Sequence, residues 1–412
     1  CLRTESRNLD MRDATPTQPA PRDVPLGYLR AFLTVLVVAH HAALAYHPFA
    51  PKAPASLRTP PYWWAAFPVV DEHKWPMAPL FVGVNDVFFM SLMFLISGVF
   101  AAPGLRRKGA SAFLRDRAFR LGVTFVLSAA LLAPLAYYPP YLATGADASP
   151  SAFVSEWLAL GVWPAGPAWF LWVLLAFGLI AALAHKAAPR GLDALGSAAQ
   201  RLSSPGRFFS ALVVASAIAY LPMAGLFTSE TWSNWGPFWV QTSRVLHYGV
   251  YFLAGLSLGA FGRDLGLFSK DGALARRWYL WIGATIGSIG LSLVALAKIM
   301  PTWENGGSGP SVILGAAGNF TFVLICASAS FACLGIFLRF ARTAHAIVDS
   351  LAANAFGIYL FHYAWVSWLQ FAIVGIDLSG GLKMLTVLVG AVGLSWAMTA
   401  ALRRNASVAR VL

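Results

Sequence analysis

The feature that most constrains this chain is a recurring run of about 20 mostly apolar residues. A run of that length can cross the roughly 30 Å hydrocarbon core of a bilayer as an α-helix. A helix also satisfies its own backbone hydrogen bonds where no water is present. The sequence therefore predicts an all-α, polytopic membrane helix bundle of about ten spans, at roughly 26–46, 80–102, 120–138, 167–185, 208–226, 244–262, 278–299, 313–338, 351–374 and 383–402.

Composition favours the same class. Hydrophobic residues make up 58% of the 412 residues, charged residues make up 11%, and the mean hydropathy is +0.64. Soluble domains carry about a quarter charged residues, so a water-soluble globule is excluded. We expect a disordered cytoplasmic tail over 1–24, rich in Pro, Thr, Arg and Asp, then the membrane domain over 25–403 and a short cytoplasmic tail over 404–412.

The net charge of +13 is explained by topology. If the N-terminus is cytoplasmic, only six of the 30 Lys and Arg residues fall in outer segments, namely Lys52, Arg58, Lys74, Arg244, Lys298 and Lys383. This bias is the positive-inside pattern of membrane proteins, and an even number of spans agrees with it. We therefore expect both termini in the cytoplasm, a multi-pass protein of the inner (plasma) membrane, the lipid bilayer as a partner, and no nucleic-acid partner.

Cysteine usage is low. The chain contains Cys1, Cys326 and Cys333, which provide neither a disulfide framework nor the spacing of metal ligands. No metal site is expected.

Three outer segments, 47–79, 139–166 and 227–243, are rich in aromatic residues. Two interpretations stay open, an aromatic belt at the membrane interface or stacking platforms for sugar rings at the mouth of a site. The residues concerned are Tyr62, Trp63, Trp64, Trp75, Tyr137, Tyr138, Tyr141, Trp157, Trp163, Trp232, Trp235 and Trp239.

The first span contains two ionisable residues, Arg30 and His41. They are 11 residues apart, which at about 100° per residue brings them within about 20° of the same helical face, roughly 16 Å apart along the axis. Arg30 is then expected near the inner interface and His41 near mid-membrane. Imidazole can take and return a proton near neutral pH, so His41 is a candidate catalytic base. The alternative is a core histidine satisfied by a neighbouring hydroxyl or carbonyl.

Arg117 and Arg120 begin the third span at i, i+3 spacing, so they lie on adjacent parts of one helical face. Guanidinium groups bind phosphate oxygens bidentately. The pair is a candidate site for the phosphates of a cytoplasmic, nucleotide-bearing donor. Ordinary positive-inside anchoring is the alternative.

Four further residues are candidates because polar or aromatic side chains stand out beside apolar runs. They are Asp86, Glu156, Trp169 and His362. An ionisable residue within a membrane span is a functional candidate by default, but for Asp86, Glu156 and His362 a structural role is the competing interpretation.

Several short motifs occur in a particular order along these spans. They are Arg30 with His41, the run from Phe88 to Gly98 (FFMSLMFLISG), a basic loop followed by Arg117-x-x-Arg120-Leu121, Trp169-Phe170-Leu171-Trp172, and Tyr359-Leu360-Phe361-His362. In this order the chain resembles the acyltransferase-3 family of integral membrane O-acyltransferases. It is most similar to the branch that includes the periplasmic-glucan succinyltransferases.

The resemblance implies ten spans and a cytoplasmic acyl-CoA donor, with no tightly bound cofactor. It implies an extracytoplasmic carbohydrate acceptor, usually a sugar hydroxyl. It assigns the essential histidine to His41, its arginine partner to Arg30, and the donor-phosphate arginines to Arg117 and Arg120. The family often has an acidic residue where this chain has Gly27. Either Asp23 or Asp86 substitutes for it, or Arg30 is oriented differently.

Two other functions are compatible with these features. A polytopic transporter or flippase of a glycan or an anionic small molecule also places ionisable groups at mid-membrane, although no half-to-half similarity is visible here. A different polytopic acyltransferase architecture with a buried histidine in a late span would use His362 instead.

Overall fold

The computed structural model describes residues 24–229, 231–304 and 309–412. Almost all of the predicted tail over 1–24 lies outside these ranges. The longer helices are α1 Val24–Leu44, α2 Ala78–Arg117, α6 Trp169–Ala187, α8 Pro205–Phe227, α9 Val245–Phe261, α11 Trp278–Ile299, α12 Val312–Phe340, α13 Ala346–Ile373 and α14 Gly380–Leu402. The shorter ones are α3 Val123–Leu127, α4 Ala133–Ala143, α5 Pro150–Leu158, α7 Gly191–Arg201, α10 Ala273–Arg276 and α15 Ala406–Ala409.

The prediction of an all-α membrane bundle is confirmed. Within the described ranges, seven helical runs are long and apolar enough to cross a membrane, or eight if the bent pair Thr242–Phe261 and Gly266–Arg276 counts as one more. A single hairpin, β1 Trp232–Trp235 with β2 Phe238–Gln241, accompanies them. The total of ten spans and the positions of the termini stay predictions.

One of these runs, Ala78–Ala143, covers two predicted spans. Gly109 interrupts it with φ 71° and ψ 168°, a conformation that only glycine adopts without strain. The chain bends at Gly109. The evidence for the bend is that a Cβ added at Gly104 would lie only 3.2 Å from the Phe113 ring. In an unbroken helix those two residues would be roughly 13 Å apart along the axis. The predicted spans 80–102 and 120–138 therefore lie on either side of a bend.

Helices α2 and α9 are in backbone contact through glycines. A Cβ added at Gly255 would overlap the carbonyl of Leu95, and one added at Gly259 would overlap the carbonyl of Val99. In lipid no hydrophobic force drives helices together, so small residues that allow close van der Waals contact hold them instead. The Gly255-x-x-x-Gly259 pair on α9 is such an interface.

Two prolines shape the contact between α4 and α13. Pro139 and Pro140 have no N–H, so they leave the carbonyls of residues 135–136 without their helical donors. Side chains of α13 supply the missing donors: Trp368 Nε1 donates to residue 135 at 3.0 Å, and Ser367 Oγ donates to residue 136 at 2.6 Å. The proline pair thus becomes a hydrogen-bonded joint between helices.

The same compensation occurs one turn earlier, at a π-helical segment, Ser128–Leu132. In a π-helix the carbonyl of residue 129 would accept from the N–H of residue 134, but residue 134 is a proline and has no N–H. The carbonyl of Ala129 instead accepts a hydrogen bond from Trp163 Nε1 at 2.8 Å. The segment is wider than an α-helix and is anchored by a tryptophan from a loop.

The aromatic segments do not form a simple interface belt. Trp64, Tyr137 and Trp157 are each at most 3% exposed. The Tyr137 ring lies 5.3 Å from that of Trp64 and 5.8 Å from that of Trp157, so the three form an internal cluster. For these three residues both the belt and the open sugar platform were wrong, because the loop 47–79 folds down onto α4 and α5 and buries them. Trp63 and Trp235 remain exposed.

A buried ion pair holds the same loop to α14. Lys383 Nζ lies 2.7 Å from Asp71 Oδ2, and the two side chains are 0% and 1% exposed. Lys383 also donates to the carbonyl of Val374 at 3.0 Å. Buried charges are tolerated only when paired and hydrogen-bonded in this way.

Substitution of Gly255 by alanine is expected to destabilise the bundle, since the new methyl must push the α2 backbone away. Overpacking of this kind costs typically 1–3 kcal/mol. Thermal unfolding of the detergent-purified protein measures the change. Gly283→Ala is the control, because nothing lies within 4 Å of a Cβ added there. Equal unfolding temperatures for the two variants would contradict this packing.

Candidate active site

The hydrogen bonds of His41 determine which of its nitrogens carries the proton. Nδ1 lies 2.8 Å from the carbonyl of Val37, one turn earlier on α1. A carbonyl can only accept, so Nδ1 carries a proton, and in the neutral ring Nε2 then carries a lone pair. His41 is therefore oriented with one nitrogen held by its own helix and the other available as a base.

His362 contacts His41 directly, although they lie on helices α13 and α1. The His362 side chain is 0% exposed, and its Nδ1 lies 2.6 Å from the carbonyl of Tyr359. By the same reasoning its Nε2 is an acceptor, and it lies 3.4 Å from His41 Nδ1. The Tyr363 ring packs edge-on against His41, with centroids 5.1 Å apart. Two histidines that the sequence treated separately thus form one pair.

Gln370 holds the end of α1 in place beside this pair, a contact that the sequence did not reveal. Its Nε2 donates to the carbonyls of His41 at 3.0 Å and Ala42 at 3.2 Å. These carbonyls lie in the last turn of α1, where helical donors run out. The amide therefore satisfies two polar groups and fixes the position of His41 relative to α13.

Arg30 is exposed and lies on the rim of an open cavity. Its Nη2 donates to the carbonyl of Ala352 at 3.3 Å, and in the described residues it has no ion pair with a carboxylate. Three possibilities were given for the acidic residue that is missing at Gly27. Asp86 does not replace it, because the Asp86 carboxylate is paired with Arg244. Asp23 lies outside the described residues.

The cavity has a volume of about 350 Å³ and opens among α1, α2, α6 and α13. Arg30, Arg117 and Arg120 all line it, so the structure brings the three predicted arginines into one site. Arg107 and Lys108 add two further cations, and Lys108 is neutralised by Asp116. Away from these groups the wall is mostly apolar, and Tyr359 forms part of it.

Aromatic rings, and not carboxylates, hold the two arginines of the third predicted span. The Arg117 guanidinium lies 5.0 Å from the Phe113 ring centroid, and that of Arg120 lies 5.0 Å from the Phe356 centroid. Neither forms an ion pair within the described ranges. Ring faces position a guanidinium while leaving its N–H groups free, so both arginines remain available to an anion.

Asp86 forms an ion pair with Arg244, the residue before α9. Arg244 Nη2 lies 2.6 Å from Asp86 Oδ2, and the arginine side chain is 5% exposed. Arg244 also packs 4.8 Å from the centroid of the Phe322 ring. The sequence placed Arg244 in an outer segment and did not predict its burial or its partner, because both depend on how α2 and α9 cross.

Glu156 and Trp169 make structural contacts: Glu156 joins α5 to the loop that contains Arg58, and Trp169 joins α6 to α9. Both carboxylate oxygens of Glu156 accept from Arg58, at 2.8 and 2.6 Å. These hydrogen bonds raise the pKa of the Arg58 guanidinium. Trp169 stacks on Tyr248 with centroids 5.7 Å apart. Neither Glu156 nor Trp169 lines the cavity that contains Arg30.

The amino-acid sequence also matches a known protein family. Residues 25–400 match the family model described as an acyltransferase domain, that of the acyltransferase-3 family. The chain belongs to the acyltransferase-3 family. No curated protein and no solved structure matches the chain. The protein is thus a membrane acyltransferase, a transferase acting on groups other than aminoacyl groups.

Family membership favours the enzyme over the transporter or flippase. It leaves the periplasmic-glucan succinyltransferase branch a prediction. In the described residues of this acyltransferase, no group of three or more His, Cys, Asp or Glu side chains could hold a metal ion.

Asp86→Asn is expected to lower the stability of the acyltransferase by about 3 kcal/mol, because it leaves the buried Arg244 charge without a partner. Thermal unfolding in detergent measures the loss, and Arg244→Met in the same chain should recover most of it. Asp264→Asn is the control, since that carboxylate is exposed. Wild-type stability together with lost activity would instead place Asp86 in the catalytic site.

Proposed function

We propose that this acyltransferase moves an acyl group of acetyl or succinyl type from cytoplasmic acyl-CoA to a hydroxyl of an extracytoplasmic glycan or other envelope acceptor. The observation that carries the proposal is the His41–His362 pair beside a cavity lined by Arg30, Arg117 and Arg120. Tyr359 links the two, since its ring lines the cavity and its carbonyl holds His362.

The cationic end of the cavity suits the donor. Coenzyme A carries several phosphate groups on its nucleotide half, and an uncharged pantetheine arm leads from them to the thioester. Arginines bind phosphate oxygens bidentately without losing charge. With Arg117 and Arg120 on the phosphates, the apolar part of the wall is left for the pantetheine arm.

His41 Nε2 supplies the proton chemistry. It takes the proton of the acceptor hydroxyl as the oxygen attacks the thioester carbonyl. The C–O ester bond forms, the C–S bond breaks, and the proton passes from His41 to the departing sulfur, which leaves as the CoA thiol. While His41 is cationic, Val37 and His362 accept from its Nδ1–H and stabilise the charge. General base catalysis of this kind contributes typically 10²–10⁴-fold.

His41→Ala should reduce acyl transfer from acetyl-CoA and succinyl-CoA by at least about 100-fold. CoA affinity should be unchanged, because the phosphates bind at a distance from the imidazole. Mass spectrometry of envelope glycans from expressing cells detects the missing ester. His185→Ala, which removes a histidine from the last turn of α6, is the control. A His41→Ala protein that inserts normally and acylates at the wild-type rate would refute the role.

Arg117→Ala combined with Arg120→Ala should weaken CoA binding by at least roughly 100-fold, since charge-assisted contacts contribute about 1.5–3 kcal/mol each and about 1.4 kcal/mol is tenfold in affinity. Titration of the detergent-purified protein with CoA measures this. The paired control, Arg190→Ala with Arg201→Ala, removes two exposed arginines of the α7 region. Equal CoA affinity in the two double variants would reject the phosphate role.

A further inference from the structure

A second, small cavity lies beyond Tyr359. It is bordered by the π-helical segment Ser128–Leu132, the 3₁₀ turn Gly166–Ala168 and one face of α13. Its volume is about 20 Å³. A cavity needs roughly 10–15 Å³ to hold one water-sized group, so this one has room for one or two small groups.

Two tyrosines connect this small cavity to the site already described. Tyr359 lines both the small cavity and the arginine-lined one. Its hydroxyl donates to the carbonyl of Pro167, a residue that also lines the small cavity. Tyr363 lines the small cavity as well and packs against the His41 ring at 5.1 Å. The small cavity is therefore one aromatic ring away from both the donor cavity and the histidine.

The lining is apolar, with one polar group that lacks a partner. Ser128 is 3% exposed, and its Oγ has no hydrogen-bond partner within the described part of the chain. No Lys, Arg, His, Asp or Glu is among the described residues that line the cavity. A buried hydroxyl without a partner costs about 1–3 kcal/mol, so the position favours a ligand that can accept a hydrogen bond there.

We infer that this cavity holds the acyl group of the donor and restricts it to an uncharged group of acetyl size. The inference rests on the proposed acyl-CoA donor. The acetyl methyl fits the apolar wall, and the hydroxyl of Ser128 donates to the acyl carbonyl oxygen. A succinyl group would bring a carboxylate into a space without a cation, and burying an unpaired charge is strongly unfavourable. The cavity thus separates the two acyl types between which the proposed function does not choose.

Binding measurements on the purified full-length protein test the inference without an acceptor. The probes are free CoA, acetyl-CoA, butyryl-CoA and succinyl-CoA, with the affinity of each thioester divided by that of free CoA. The wild-type protein is expected to bind acetyl-CoA at least tenfold more tightly than succinyl-CoA or butyryl-CoA. Equal affinities for acetyl-CoA and succinyl-CoA would overturn the inference.

Variants in and beside the cavity lining test whether the cavity causes the preference for acetyl-CoA. Leu132→Ala enlarges the cavity and should reduce the discrimination against butyryl-CoA at least fivefold. Leu131→Ala is the matched control, because that neighbouring side chain is 63% exposed and does not line the cavity. Ala168→Val should fill the cavity and bring the affinity for acetyl-CoA down to that of free CoA. A chain-length preference that Leu132→Ala and Leu131→Ala leave equally unchanged would also overturn the inference.

Free CoA serves as the internal standard. Its affinity should be the same in the wild type and in all three variants, which shows that each is folded and that the phosphate site is intact. If the wild-type protein does not bind free CoA, the proposed donor is wrong. If it binds free CoA but shows no preference for acetyl-CoA, only the acyl cavity is wrong.

Discussion

The constraint on which this structure depends is the cost of leaving a polar group unsatisfied where there is no water. Each such group costs several kcal/mol in hydrocarbon, and at several contacts between helices a side chain satisfies it. The carbonyls freed by Pro139 and Pro140 accept from α13. The Arg244 charge is matched by Asp86, and the Lys383 charge by Asp71. These joints connect helices that are distant in sequence, so the polar groups set the tertiary arrangement.

In the described part of the chain, three arginines of the candidate site lack a carboxylate partner. Arg30, Arg117 and Arg120 line an open cavity, and none of them forms an ion pair in the described residues. Arg120 is close enough to repel both of the others. A cluster of like charges destabilises a protein unless an anion compensates it, whereas the buried charges of Arg244 and Lys383 each have a carboxylate partner. The contrast within one chain therefore favours a polyanionic ligand in that cavity.

The spacing of residues in the sequence predicted which arginines lie together, whereas the contacts between helices distant in sequence depend on tertiary packing. Helical periodicity placed Arg30 and His41 on one face of α1, and the i, i+3 pair Arg117 and Arg120 does share one cavity. Nothing in the sequence linked His362 to His41, since that 3.4 Å contact depends on how α13 crosses α1. Likewise the buried aromatic cluster required the loop 47–79 to fold inward, which neither composition nor periodicity specifies.

Tyr359 connects the arginine-lined cavity, the small cavity and the histidine pair. The tyrosine ring separates the arginine-lined cavity from the small one, while its carbonyl orients His362 and its hydroxyl is bonded to Pro167. One residue therefore touches the arginine-lined cavity, the histidine pair and the 3₁₀ turn that precedes α6. In the proposed function the thioester reaches His41 past this ring, so the residue that orients His362 also borders the proposed path of the acyl group. The position of His362 and the proposed selection of the acyl group therefore depend on one segment, because helix α13 carries both tyrosines and the histidine within five residues of each other.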